Sequence, residues 1–204
     1  MKLVKCNWAN YSELNSVYFQ DMIKRHNIIP WSRKYEYPFV DMNINFADNE
    51  RKVLEAGALG SILPNIYKDK FDYYALDIGS SILNLNKNFK CFHSDLCKTP
   101  FENDFFNIII CVSVFEHMPI GKWKDALIEF ERVLKPSGRA IITLDIAYTD
   151  TCPFNFKYSE IEKMFSYFGA KIPEKPNDII NSDDSENGKK AGPGLQVLAF
   201  ILEK

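Results

Sequence analysis

Between Val53 and Gly138 the chain alternates apolar runs that stop at a carboxylate or a glycine with stretches of helical spacing, and few folds accept that grammar. Val53-Leu-Glu55 runs into Ala56-Gly-Ala-Leu-Gly60, and Tyr74-Ala-Leu76 runs into Asp77-Ile78. A third run ends at Ser94-Asp-Leu96, and Phe106–Val112 emerges at Ser113-Val-Phe-Glu-His117. A long helical stretch then ends at Glu131-Arg-Val-Leu-Lys-Pro-Ser-Gly138, with the expected breakers. Strand runs alternating with helices imply βαβ units and a parallel sheet. An open sheet of this kind builds a nucleotide-type pocket at the carboxyl ends of its strands.

The fold class expected is therefore α/β, a Rossmann-like doubly wound and mostly parallel sheet with an antiparallel C-terminal strand. Strands are expected at 51–55, 73–77, 90–93, 106–112, 140–145 and 196–202, and helices at 61–68, 122–134 and 158–168, with a short one near 80–86. Residues 1–50 are expected to form an N-terminal helix and lid segment, and residues 51–204 a single globular unit. Asn10 and Glu13 have capping-box spacing, and Leu14, Val17, Tyr18 and Met22 recur at helical intervals, which predicts one helix over 11–26. Pro30 and Pro38 bracket a segment expected to be extended or irregular. The polar, glycine-bearing stretch Asn181–Gly194 reads as an exposed hairpin loop.

At 204 residues there is room for one well-buried core, and 46% apolar content suits a globular protein. No apolar run approaches the roughly 20 residues needed to span a bilayer, and the N-terminus turns polar too early for a signal peptide. Five scattered cysteines without a Cys-x-x-Cys fit a reducing compartment, so a cytoplasmic enzyme is expected. Cys91, His93, Asp95 and Cys97 alternate over a short stretch but lack a second ligand pair, and no metal is expected. A formal charge of −2 with dispersed lysines and arginines argues against a nucleic-acid partner.

Gly57 and Gly60 follow a strand and precede a helix, where a ligand can approach the backbone closely and the turn can take positive φ. Asp77 ends the next strand, 22 positions after Glu55. A carboxylate there suits the vicinal hydroxyls of a ribose. Nicotinamide-binding proteins use the same device, and capping of Gly79-Ser80-Ser81 is the structural alternative. His117 is the candidate general base, because a neutral imidazole accepts a hydroxyl proton near pH 7. His26 and His93 have no supporting constellation and read as surface or packing residues.

Order and spacing over roughly residues 50–145 resemble the class I S-adenosylmethionine-dependent methyltransferases of the small-molecule type. The resemblance implies S-adenosylmethionine as cofactor, held by Glu55, Gly57, Gly60, Asp77, Ile78, Asp95, Leu96 and Ser113. Asp95 would accept from the adenine amino group, with Leu96 against the ring. Ser113 and the residues after it would face the methionine part. Where the family reads acidic-x-Gly-x-Gly-x-Gly, either Leu59 and Ser61 replace glycines here or the loop is one residue shorter. Asn107 stands for the usual aspartate and Phe115 for a leucine. Cys111-Val-Ser-Val114 occupies the place of the motif used on nucleobase and glutamine nitrogens.

Trp31, Arg33, Tyr35, Glu36 and Tyr37 suggest a lid whose aromatics exclude water while Arg33 or Lys34 meets an anionic acceptor group; packing alone is the other reading. Asp145 and Tyr148 are further candidates for the substrate side. The reaction expected is O-methylation of a small polar metabolite such as a sugar. A non-catalytic S-adenosylmethionine-binding protein and a nicotinamide-dependent oxidoreductase are the alternatives. Oligomeric state has no signature in the sequence.

Overall fold

A computed structural model describes residues 1–29, 32–44, 51–85, 89–147, 157–180 and 195–204. Seven strands form one sheet: β1 (Lys2–Trp8), β2 (Lys52–Ala56), β3 (Asp72–Asp77), β4 (Lys90–His93), β5 (Phe106–Val112), β6 (Leu134–Ala147) and β7 (Leu195–Glu203). Their spatial order is β1-β7-β6-β5-β2-β3-β4. The five central and outer strands β6, β5, β2, β3 and β4 are parallel, and β7 is antiparallel to both β6 and β1. The mostly parallel sheet with an antiparallel C-terminal strand is the architecture expected from the sequence.

Both faces are covered, which is why the central strands read as continuous apolar runs rather than alternating ones. On β5, Ile109 and Cys111 point to one core, with α5 (Trp123–Val133) and α6 (Tyr158–Tyr167). Ile108, Ile110 and Val112 point to the other, under α2 (Val17–His26), α3 (Arg33–Asn43) and α4 (Leu63–Tyr67). Cys111 is fully buried, as expected of a core residue.

Three local expectations are corrected. The helix over 11–26 is two helices, α1 (Tyr11–Leu14) and α2. Asn10 caps the first through Glu13 N at 2.8 Å, and Ser16 caps the second through Phe19 N at 3.3 Å, so a second cap interrupts one periodic stretch. The segment bracketed by prolines is largely helical. Pro38 lies inside α3 and forfeits a helical hydrogen bond at a cost of about 3 kcal/mol. Burial of Tyr35, Tyr37, Phe39 and Val40 offsets that, each contributing roughly 1.5–3 kcal/mol. Residues before 50 are also woven into the sheet, since Lys2 pairs with Glu203 and Trp8 with Leu198. A register shift between Leu3 and Lys5 breaks the alternation that marks a strand.

The segment at 80–84 is a single 3-10 turn. Lys135-Pro136-Ser137-Gly138 lies within β6, the helix having ended at Val133. The expected hairpin loop Asn181–Gly194, Trp31 and Tyr148 lie outside the described residues.

Candidate active site

The strand ends β2, β3, β4 and β5 open onto a cavity of about 590 Å³. Gly57, Asp77, Ile78, Asp95, Leu96, Ser113 and His117 all line it, so one wall collects seven of the residues singled out in the sequence. Glu55 and Gly60 border a narrower cleft of about 60 Å³ that shares Gly57 and Leu59 with the main cavity.

The glycine loop is shaped by conformation and by space. Gly57 has φ +82° and Gly60 φ +84°. A Cβ on Gly57 would stand 2.3 Å from Val114 Cγ2, so any side chain there would force Val114 to shift. Glu55, fully buried at the tip of β2, accepts a hydrogen bond from Tyr73 Oη at 2.7 Å. Burial pushes its carboxyl up to about 7, opposed by the Ser61 and Tyr73 hydroxyls and the Arg33 charge.

Asp77 accepts from Leu59 N at 3.0 Å through Oδ2 and from Gly79 N at 2.8 Å through Oδ1. The capping alternative is therefore realised in part, without excluding a ligand. Each carboxylate oxygen has a second lone pair, and the backbone donors fix the group's orientation at the cavity wall. Asp95 is held in the same way, its Oδ1 accepting from Cys97 N at 2.8 Å. His93 lies on the surface, with Nε2 3.0 Å from Ile78 O.

After β5 the chain turns sharply. Ser113 takes a left-handed conformation (φ 49°) with its N–H on Thr143 O at 3.0 Å. A short 3-10 turn, Phe115–His117, then splits the Glu116-His117 pair. Glu116 turns inward and accepts from Asp145 N at 3.2 Å, tying this turn to β6. His117 faces the cavity, and burial together with the Arg33 charge lowers its pKa, so it is neutral at pH 7.

The N-terminal helix closes the other side. Arg33 lines the cavity, pairs with Glu36, donates to Ser113 Oγ at 2.5 Å and lies 5.8 Å from the Tyr37 ring. Sequence reasoning missed Glu36 as more than lid packing. It is wholly buried and accepts from Ser113 Oγ and Thr143 Oγ1, both at 2.6 Å. Asp145 is buried rather than lining the cavity. Burial, then the Glu36 charge, push its carboxyl up to about 8, with Arg33 opposing. Burial and Asp145 hold Glu116 well above the carboxylate range. Glu116 Oε2 and Asp145 Oδ1 have no hydrogen-bond partner among the described residues.

Residues 54–142 match the family model described as a methyltransferase domain. Similar solved structures include the 1,6-didemethyltoxoflavin-N1-methyltransferase of Burkholderia thailandensis, solved with its substrate and S-adenosylhomocysteine. It is 15% identical with a TM-score of 0.55, over 99% of this chain and 93% of that one. A SAM-dependent methyltransferase of Methanosarcina mazei is 12% identical with a TM-score of 0.54, over 78% and 95%. The cyclase SpnF is 10% identical with a TM-score of 0.61, over 87% and 83%. At these identities the likenesses establish the fold. No curated relative matches the chain.

The matched segment carries a methyltransferase domain, and the fold is the one expected of the class I S-adenosylmethionine-dependent methyltransferases that the sequence resembles. The matched domain supports an enzyme that uses S-adenosylmethionine as cofactor.

Proposed function

We propose that the enzyme methylates a hydroxyl oxygen of a small polar metabolite such as a sugar, using the 590 Å³ cavity for the cofactor. The observation that carries the reading is the convergence of Gly57, Asp77, Asp95, Ser113 and His117 on that one cavity. Its volume lies in the range of about 300–1,000 Å³ usual for ligand sites, and its donors and acceptors fit a nucleoside.

S-adenosylmethionine supplies a methyl group already activated by a sulfonium. The chain's own residues have to bind, orient and manage one proton. Asp77, its carboxylate steadied by Leu59 N and Gly79 N, takes the ribose hydroxyls. Asp95 accepts from the adenine amino group, and Ile78 and Leu96 supply apolar contact to the ring. Gly57 admits the amino-acid end close to the backbone. Ser113 borders the reacting end of the cavity. His117, held neutral by burial and by Arg33, accepts the hydroxyl proton of the acceptor. Alignment of donor and acceptor provides much of the remaining acceleration, on the order of 7 kcal/mol or more.

The dispersed charge supports a small molecule rather than a nucleic acid as acceptor, and the scattered cysteines support a cytoplasmic location. Among the described residues no helix is long and apolar enough to cross a membrane.

The test is calorimetry with S-adenosylhomocysteine. Asp77→Ala should weaken binding at least about 100-fold, from loss of charge-assisted bonds to both hydroxyls. Unchanged affinity would refute the ribose assignment.

A further inference from the structure

Two cavities meet at one side chain. Arg33 borders both the 590 Å³ cavity and the 60 Å³ cleft that extends from it past Gly57. On the cleft's walls stand one basic group, Arg33, and one acidic group, Glu55. Arg33 is paired with Glu36 and burial raises the Glu55 carboxyl to about 7, so the cleft offers a ligand both guanidinium donors and a carboxyl oxygen. The end of an α-amino acid, with ammonium and carboxylate on one carbon, answers both.

Arg33 does not reach that position by itself. Its side chain is a quarter exposed, and its hydrogen bonds among the described residues, to Glu36 and to Ser113, both run through Nη1. The Nε and Nη2 donors of the fork are left outside those bonds. Glu36 anchors the arrangement from behind. One carboxylate oxygen takes Arg33, and the other accepts from Ser113 and Thr143 at the ends of β5 and β6. A charge pair this deep gains little over apolar packing, so net stability is a poor account of it and placement is a better one. Burial raises the carboxyls of Asp145 and Glu116 and so disfavours their charged forms, which leaves Glu36 as the acid in direct contact with Arg33.

We infer that Glu36 is a positioning residue: fixed by Ser113 and Thr143, it sets the Arg33 guanidinium at the junction of cavity and cleft, where Arg33 takes the carboxylate of the cofactor's amino-acid tail. The inference rests on the cofactor reading proposed above, and it moves Arg33 from the acceptor side to the cofactor side.

Two probes separate the possibilities by calorimetry: S-adenosylhomocysteine, and its decarboxylated analogue, which keeps the ammonium and loses the carboxylate. The wild-type enzyme should prefer the first by about tenfold or more. Arg33→Met should bring that ratio close to one by weakening S-adenosylhomocysteine alone. Glu36→Gln, near in shape but uncharged, should reduce the ratio severalfold, and Glu36→Asp should restore part of it. Thr143→Val, which removes one anchor of Glu36, should reduce the ratio less and serves if the Glu36 variants do not fold. A purely structural Glu36 would weaken both probes alike and leave the ratio unchanged, which would overturn the positioning role. Equal wild-type affinity for the two probes would overturn the carboxylate subsite while leaving the cofactor reading intact. Failure of both to bind the wild-type enzyme would sink the cofactor reading itself.

Discussion

The two sides of the cavity are built on opposite plans. On the side of β3 and β4, Asp77 and Asp95 are each steadied by backbone N–H groups within two residues or from the facing glycine loop, and Asp95 and Ile78 are open to solvent. On the side of α3, Arg33, Glu36, Glu116 and Asp145 are organised by contacts between distant side chains and strand ends, and the three acids are buried. An exposed rim of this kind can be altered with little harm to the fold. A buried network couples every change to stability.

That contrast can be broken experimentally. The largest effect is expected at the rim: His117→Ala should lower kcat by about 100-fold or more if the imidazole takes the acceptor's proton. Affinity for S-adenosylhomocysteine and Tm should stay near wild type. A matching loss of Tm would mean that His117 belongs to the structural plan instead.

Gly57→Ala tests where the two plans meet. A Cβ at φ +82° costs about 1–2 kcal/mol, and its approach to Val114 adds about 1–3 kcal/mol. Chemical denaturation should therefore show a loss of roughly 2–5 kcal/mol together with weakened cofactor binding. A variant of wild-type stability would show that the loop repacks freely.

A further effect is expected from pH in the interior. Asp145 titrates near 8 when folded, against about 3.8 in the unfolded chain, so the folded state binds the extra proton between those values. Its contribution to stability is complete below pH 4 and is lost as pH rises toward and through 8. Melting curves should thus show wild-type Tm declining from pH 5 to 8.5, and Asp145→Asn should flatten that decline. An identical slope in the variant would mean that other groups, Glu116 first among them, set it.

The same division governs how much of the molecule could be read from its sequence. Asp77 and Asp95 stand at the ends of apolar runs, and their partners lie nearby along the chain or in the glycine loop, so spacing alone brings them to the site. The partners of Glu36 lie 77 and 107 positions away, and nothing local to residues 33–43 announces them. Pro38 argues locally against a helix that buried aromatics nonetheless impose. Asp145 stands near the end of an apolar strand much as Asp77 does, but it is buried. End-of-strand position finds a carboxylate without telling whether it will face ligand or core.

The pairing of β1 with β7 bears on how this enzyme can be cut for study. A fragment trimmed to the family-matched segment 54–142 would lack both strands and present the bare side of what remains of β6. Removing only the first eight residues would uncover the length of β7, an almost wholly apolar strand. Either truncation should favour self-association through the open edge, so the smallest well-behaved unit is longer than the recognisable one.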